Sequence, residues 1–223
     1  MVVKILEEVD AAKREAASAT DLLHGRITIG VLPTIAPYML PRPMAQFSQL
    51  YPGVEIIVQE NTTSELLNLL RSYEIDFALF SHPIAEEGLI ITELFSEELL
   101  LALPPKHHLT RKSEITASDL RNERLIVMKE EHCLGDQVLG FCDRRNVKPK
   151  ISFRSAQLET VQELVQAGLG ISLIPAMATR RKRSTSLKYC SFKSPRPERK
   201  IILAWPRQRA PGRAAAEFIK MIS

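Results

Sequence analysis

The sequence predicts an α/β fold of two Rossmann-like lobes, with the chain crossing twice between them. Three observations predict it. Over residues 25–80 apolar patterns of strand and helix period follow one another as strand, helix, strand, helix, strand, the order of a largely parallel sheet with helices on its faces. The same order restarts at Leu125. A final strand and helix then follow a second half that is already complete, which suits a return to the first lobe.

The elements come in order. Ile27, Ile29 and Val31 alternate as a strand that stops at Pro33-Thr34. Leu40, Met44, Phe47, Leu50 and Tyr51 recur at helical spacing, and Pro41 and Pro43 fit the first turn, where no backbone N–H is needed. Pro52-Gly53 turns the chain into a second alternating strand, Val54, Ile56 and Val58. Thr62, Thr63 or Ser64 caps the next helix, whose apolar face is Leu66, Leu67, Leu69 and Leu70. Phe77–Phe80 is a short buried strand, and residues 97–103 form a crossing strand that ends at Pro104-Pro105. Leu125–Met128 is a strand, followed by a cysteine-bearing segment read as loop and then helix. Ile151–Phe153 is a strand, and Leu158, Val161, Leu164 and Val165 mark a helix. Gly168 and Gly170 follow that helix as a C-cap, not as a phosphate loop. Ile171–Ile174, Leu187–Phe192 and Ile201–Trp205 are strands, and Ala214–Met221 closes the chain as a helix.

At the N-terminus Val2, Ile5, Val9, Ala12, Ala16, Ala19 and Leu23 fall at alternating steps of three and four, the seam of a helix that packs on another helix. The alternative is an amphipathic helix docked on its own domain. The 223 residues suffice for a sizeable core, and 45% hydrophobic content is ordinary for a globular protein. A net charge of +4 allows an anionic partner without demanding one, and the run Arg180-Arg181-Lys182-Arg183 suits a solvated loop. Three cysteines make a poor disulfide framework, and no apolar run reaches the roughly 18 residues of a spanning helix. A cytoplasmic protein is the simplest expectation.

The chemistry concentrates in His132-Cys133-Leu134-Gly135-Asp136-Gln137-Val138-Leu139-Gly140-Phe141-Cys142. A thiol reacts as thiolate, which an adjacent cationic or hydrogen-bonding group favours, and a second thiol nearby can trap an oxidised sulfur. By itself the stretch reads equally as a redox pair, with Cys133 attacking and Cys142 resolving, or as two buried small hydrophobes.

The segment resembles the sensing motif H-C-L-R-D-Q-x-x-G-F-C of the peroxide-sensing, OxyR-like members of the LysR-type transcriptional regulators. It departs only at Gly135, where that group usually has arginine. The resemblance extends through Gly30–Tyr38 and Gly168–Pro175 and covers nearly all of the chain after its first two dozen residues. It implies a type 2 periplasmic-binding-protein-like sensor with its effector site between the lobes. Residues 1–24 would be the linker and dimerisation helix, 25–96 the first part of lobe I, 97–199 lobe II and 200–223 the return to lobe I. A winged helix-turn-helix DNA-binding domain would precede residue 1, so the chain is expected to be a truncated piece of a longer regulator.

The resemblance also implies roles. Cys133 is the peroxidatic, sensing thiol and Cys142 its resolving partner. Thr34, Thr63, His132, Asp136 and Arg199 match the polar residues of the peroxide pocket. Thr34 also suits a helix N-cap, His132 a surface or capping residue, and Asp136 a charge at a helix N-terminus. Cys190 is expected to be structural. No CxxC or HxxxH spacing supports a metal site, and no cofactor is expected. The implied function is regulation, not enzymatic turnover: hydrogen peroxide oxidises Cys133, a disulfide forms with Cys142, and altered homodimer or homotetramer geometry changes binding to promoter DNA and work with RNA polymerase. Two alternatives are a LysR-type sensor of a small organic anion and a thiol peroxidase-like oxidoreductase. On one continuous helix, nine residues would separate the two Cα atoms by roughly 13 Å and place them on opposite faces. A disulfide needs them within about 7 Å. Part of Leu134–Phe141 is therefore expected to reorganise before the sulfurs meet.

Overall fold

The computed structural model describes residues 24–81, 84, 86–129, 133–179 and 186–223. The N-terminal heptad seam, His132 and the run from Arg180 to Arg183 lie outside them. The chain divides into two compact units. One holds the described residues through Phe80, the segment ending at Thr92, and Ile202–Ser223; the other holds Glu93–Ile201 with Ser81 and Ile84.

In the first unit the strands β1 (Gly25–Val31), β2 (Val54–Glu60) and β3 (Phe77–Ser81) are parallel, in the order β2-β1-β3. In β1, Ile27, Ile29 and Val31 are all fully buried. The helices are α1 (Ala36–Met39), α2 (Pro41–Leu50) and α3 (Thr63–Arg71), joined by α7 (Arg213–Ile222) from the chain end. Phe47 of α2 meets Phe218 of α7 edge-on at 5.2 Å, and Phe77 of β3 lies 6.2 Å from Phe218. Each such buried ring contributes about 1.5–3 kcal/mol. Of the three candidate caps for α3, Thr62 serves: Glu65 stands three residues on, and each side chain binds the other's backbone N–H.

In the second unit β5 (Arg124–Met128) and β6 (Lys150–Ser155) pair in parallel, and β7 (Ser172–Pro175) and β8 (Lys188–Cys190) both pair antiparallel with β4 (Leu89–Leu103). The helices are α4 (Cys133–Arg144), α5 (Leu158–Gln166) and the short α6 (Ala176–Thr179). Helix α5 stops as its glycine foretells. Gly168 has φ +78°, and the N–H groups of Gly168 and Leu169 donate back to the carbonyls of Val165 and Leu164. The chain passes between units along β4 and again along β9 (Glu198–Pro206).

Two expectations need correction. The crossing strand begins at Leu89, eight residues before the expected start, because its first half is largely exposed and shows no apolar alternation. The cysteine segment is not loop followed by helix between its two thiols: α4 begins at Cys133 itself and runs unbroken to Arg144. Leu134, Val138, Phe141 and Cys142 stand at i, i+4, i+7 and i+8 and form one buried stripe, which holds the whole segment helical.

Candidate functional site

The candidate site is built on α4. Its first residue, Cys133, is half-buried at the positive end of the helix dipole, where negative charge such as that of a thiolate is stabilised. Asp136 is exposed in the same first turn, the position its dipole reading required. One turn on from Cys133, the Gln137 amide donates to Ser81 Oγ at 2.8 Å, a bond within the second unit. The i+4 spacing of Gln137 from Cys133 is the signal in the sequence that places it one turn along the same helix face.

Cys142 is different in every respect. It is 1% exposed and lies in the apolar stripe. Burial, helped by the adjacent Asp143 carboxylate, pushes its thiol up to about 11, so at neutral pH it is a protonated, enclosed hydrophobe. Phe141 beside it packs edge-on against Phe192 at 5.2 Å. Both cysteines are free thiols. Nine positions apart on one continuous helix, their Cα atoms are roughly 13 Å apart on opposite faces, so a disulfide requires this helix to open.

Gly135 has a steric reason. A Cβ added there would lie 2.6 Å from the Met128 carbonyl oxygen and 3.1 Å from that of Lys129. The first turn of α4 rests directly on the backbone leaving β5, and the arginine of the OxyR-like motif would force that turn outward.

The remaining candidates are distributed over the two units. In the first, Thr34 is 3% exposed after β1 and does not cap a helix; the N-cap of α1 is Ile35, without a side-chain bond. Thr63 opens α3, and its Oγ1 is buried without a hydrogen-bond partner among the described residues. In the second unit Arg199 is fully buried. Its Nε donates to Glu97 Oε1 at 2.8 Å, and Glu97 Oε2 accepts from the Met177 N–H at 2.8 Å. A buried charge pair of this kind depends on both partners, because removing one strands the other in a low dielectric. The partnership between Arg199 and Glu97 was invisible in the sequence. Cys190 lies in β8, opposite Leu101, with its thiol raised by burial, a structural setting.

The family described as LysR substrate binding domain matches residues 20–223. The chain belongs to the LysR family. Its fold is accordingly the type 2 periplasmic-binding-protein kind of α/β structure. Among LysR-family relatives, the chain is 36% identical over 203 residues to a "Probable hydrogen peroxide-inducible genes activator" of Mycobacterium avium, covering 90% of this chain and 65% of that protein. It thus spans about two thirds of the length of the curated relatives it matches. The reduced form of the OxyR regulatory domain from Pseudomonas aeruginosa superposes with a TM-score of 0.80 at 28% identity, covering 90% of this chain and 98% of that one. An oxidized form of OxyR superposes with a TM-score of 0.77 at 30% identity, covering 91% and 96%.

Proposed function

We propose that this chain is the regulatory domain of a LysR-type transcription regulator that senses hydrogen peroxide through Cys133 and Cys142. The observation that carries the reading is the division of labour along α4: one thiol half-exposed at the helix N-terminus, the other sealed in the apolar stripe, both in a segment matching the OxyR-like motif. Its curated relatives bear the name of peroxide-inducible activators, and reduced and oxidized forms of OxyR share its fold.

The chemistry balances as follows. The Cys133 thiolate attacks one peroxide oxygen, the O–O bond breaks, and hydroxide leaves and is protonated, so sulfur becomes a sulfenic acid while peroxide is reduced. Helix α4 opens, the Cys142 thiol gives up its proton and attacks the Cys133 sulfur, the S–S bond forms and water departs. Gly135 and Gly140 each ease the opening by up to about 1 kcal/mol relative to alanine. Loss of the Leu134, Val138 and Phe141 burial opposes it, at about 1.5–3 kcal/mol for each side chain.

The roles of His132 and Asp136 toward peroxide are carried over from the motif, and those of Thr34, Thr63 and Arg199 from the wider resemblance to the family's pocket. The unpartnered, buried Thr63 hydroxyl supports that reading within its own unit. The protein acts by changing contacts within a homodimer or homotetramer and so the binding of promoter DNA and engagement of RNA polymerase, with no catalytic turnover of its own. Among the described residues no helix is long and apolar enough to cross a membrane, and the proposed setting is the cytoplasm.

Intact-mass measurement after one equivalent of hydrogen peroxide tests the reading. The parent chain is expected to lose two hydrogens as the Cys133–Cys142 disulfide forms. The Cys142→Ser variant is expected to hold a sulfenic acid that dimedone captures at residue 133. Thr34→Val is expected to slow oxidation without unfolding. Capture at Cys142 or Cys190 while Cys133 stays reduced overturns the assignment.

A further inference from the structure

We propose that His107, His108 and Glu123 form a binding site for one divalent transition-metal ion of the zinc, nickel or copper class. The site is separate from the thiols and does not depend on the peroxide reading. Pairing of histidines far from Cys-rich spacing carried no metal signal in the sequence, because the carboxylate that completes the set stands fifteen positions later.

The geometry points to a metal more than to a simple ion pair. Nε2 of His107 lies 3.3 Å from one oxygen of Glu123, and Nε2 of His108 lies 3.2 Å from the other. All the ligand atoms fall within 4.8 Å of one another. A zinc ion bound at about 2.0–2.2 Å by imidazole nitrogen and carboxylate oxygen holds neighbouring donors about 3.3 Å apart at the tetrahedral angle. The two rings stack at 4.5 Å and 29°, and the Nε2 atoms of both lie beside the Glu123 carboxylate. Two imidazoles and one carboxylate are a donor set suited to borderline divalent ions.

The frame is held by the Glu123 backbone and, in the ion-free chain, by the His107 side chain. The His107 side chain caps the 3-10 turn His108–Arg111, accepting the Leu109 N–H at Nδ1. The Glu123 backbone donates to Leu120 and accepts from Lys150 of β6. The side chains of His107 and Glu123 are each 16% exposed, whereas that of His108 is 69% exposed, which leaves the outer side of an ion open to water. An ion here ties the turn after β4 to the residue that opens onto β5. The site also predicts its own signature. Because Nδ1 of His107 accepts a hydrogen bond, the neutral ring carries its proton on Nε2; an ion at Nε2 moves that proton to Nδ1 and releases the Leu109 N–H.

The test is a calorimetric titration of zinc chloride into the chain carrying serine at all three cysteines, which removes thiol binding. One ion per chain with micromolar affinity is expected, accompanied by a rise in Tm. His108→Ala and Glu123→Gln are each expected to weaken binding by about tenfold or more, and the Leu109 amide resonance is expected to move on loading. Affinity no tighter than millimolar, or variants that bind like the parent, overturns the proposal. Should the triple-serine chain not fold, X-ray absorption of the nickel-loaded parent decides instead. A nitrogen and oxygen shell that disappears in His108→Ala supports the site, and a sulfur-containing shell overturns it.

Discussion

The two ends of helix α4 hold their thiols in opposite environments. At the N-terminal end Cys133 is half-buried, sits where the helix dipole favours negative charge, and rests on a turn pressed against the Met128 carbonyl. At the C-terminal end Cys142 is enclosed, its thiol is raised by burial, and Phe141 beside it is held between Phe192 and the Arg145 guanidinium, 5.9 Å from the ring centre. The same twelve-residue helix therefore exposes one thiol and withholds the other. Position at the helix N-terminus leaves one thiol half-buried, position on the apolar stripe conceals the other, and helix length keeps the two apart. Under the proposed function, a disulfide between these thiols requires the helix to give up its structure, the property of a bistable switching element.

The comparison breaks most completely at Cys133. Cys133→Ser is expected to abolish the peroxide-dependent mass change and any attendant change in assembly, read by intact mass and sedimentation. Phe141→Ala attacks the concealed end: loss of the edge-on contact with Phe192 is expected to destabilise the chain by about 3–5 kcal/mol. The same variant should accelerate disulfide formation once Cys133 is oxidised, as followed by quenched-flow mass spectrometry.

Titration sharpens the contrast next. The Cys142 pKa is raised in the folded chain from 9.0 to about 11, so the folded state holds this proton more tightly than the unfolded one. Its contribution is fully present below about pH 9 and is lost as pH rises through about 11, at about 1.4 kcal/mol per pH unit. Denaturant titrations across this window should show that slope in the parent and its absence in Cys142→Ala. At the other end, Gly135→Ala is expected to cost about 1–3 kcal/mol, because its new methyl meets the Met128 backbone. Hydrogen exchange should then show faster opening confined to the first turns of α4. The smallest effect belongs to Asp136→Asn, which removes a favourable charge from the first turn at a cost of about 0.3–1 kcal/mol, diminished by salt. A stability loss unaffected by salt would assign Asp136 a role other than its dipole one.

The sequence by itself determined the local structure of this protein. Period and punctuation named β1, β2 and α2, and Gly168 marked the end of α5 by the left-handed turn it then adopts. The motif around Cys133 and Cys142 carried the redox reading, and helix arithmetic gave the expectation that a disulfide there needs the segment to reorganise. These features depend on neighbours within one or two turns, so the chain displays them directly. Tertiary structure decided what depends on distant partners. It chose Thr62 over Thr63 and Ser64 as the cap and left the Thr63 hydroxyl buried. It made a strand of Leu89–Ser96 although Ile91 and Phe95 face solvent, since pairing and not apolar alternation holds that stretch extended. It joined Arg199 to Glu97 across 102 positions, and brought Glu123 to the two histidines. Sheet register and burial set those meetings, and neither is written in the spacing of adjacent residues.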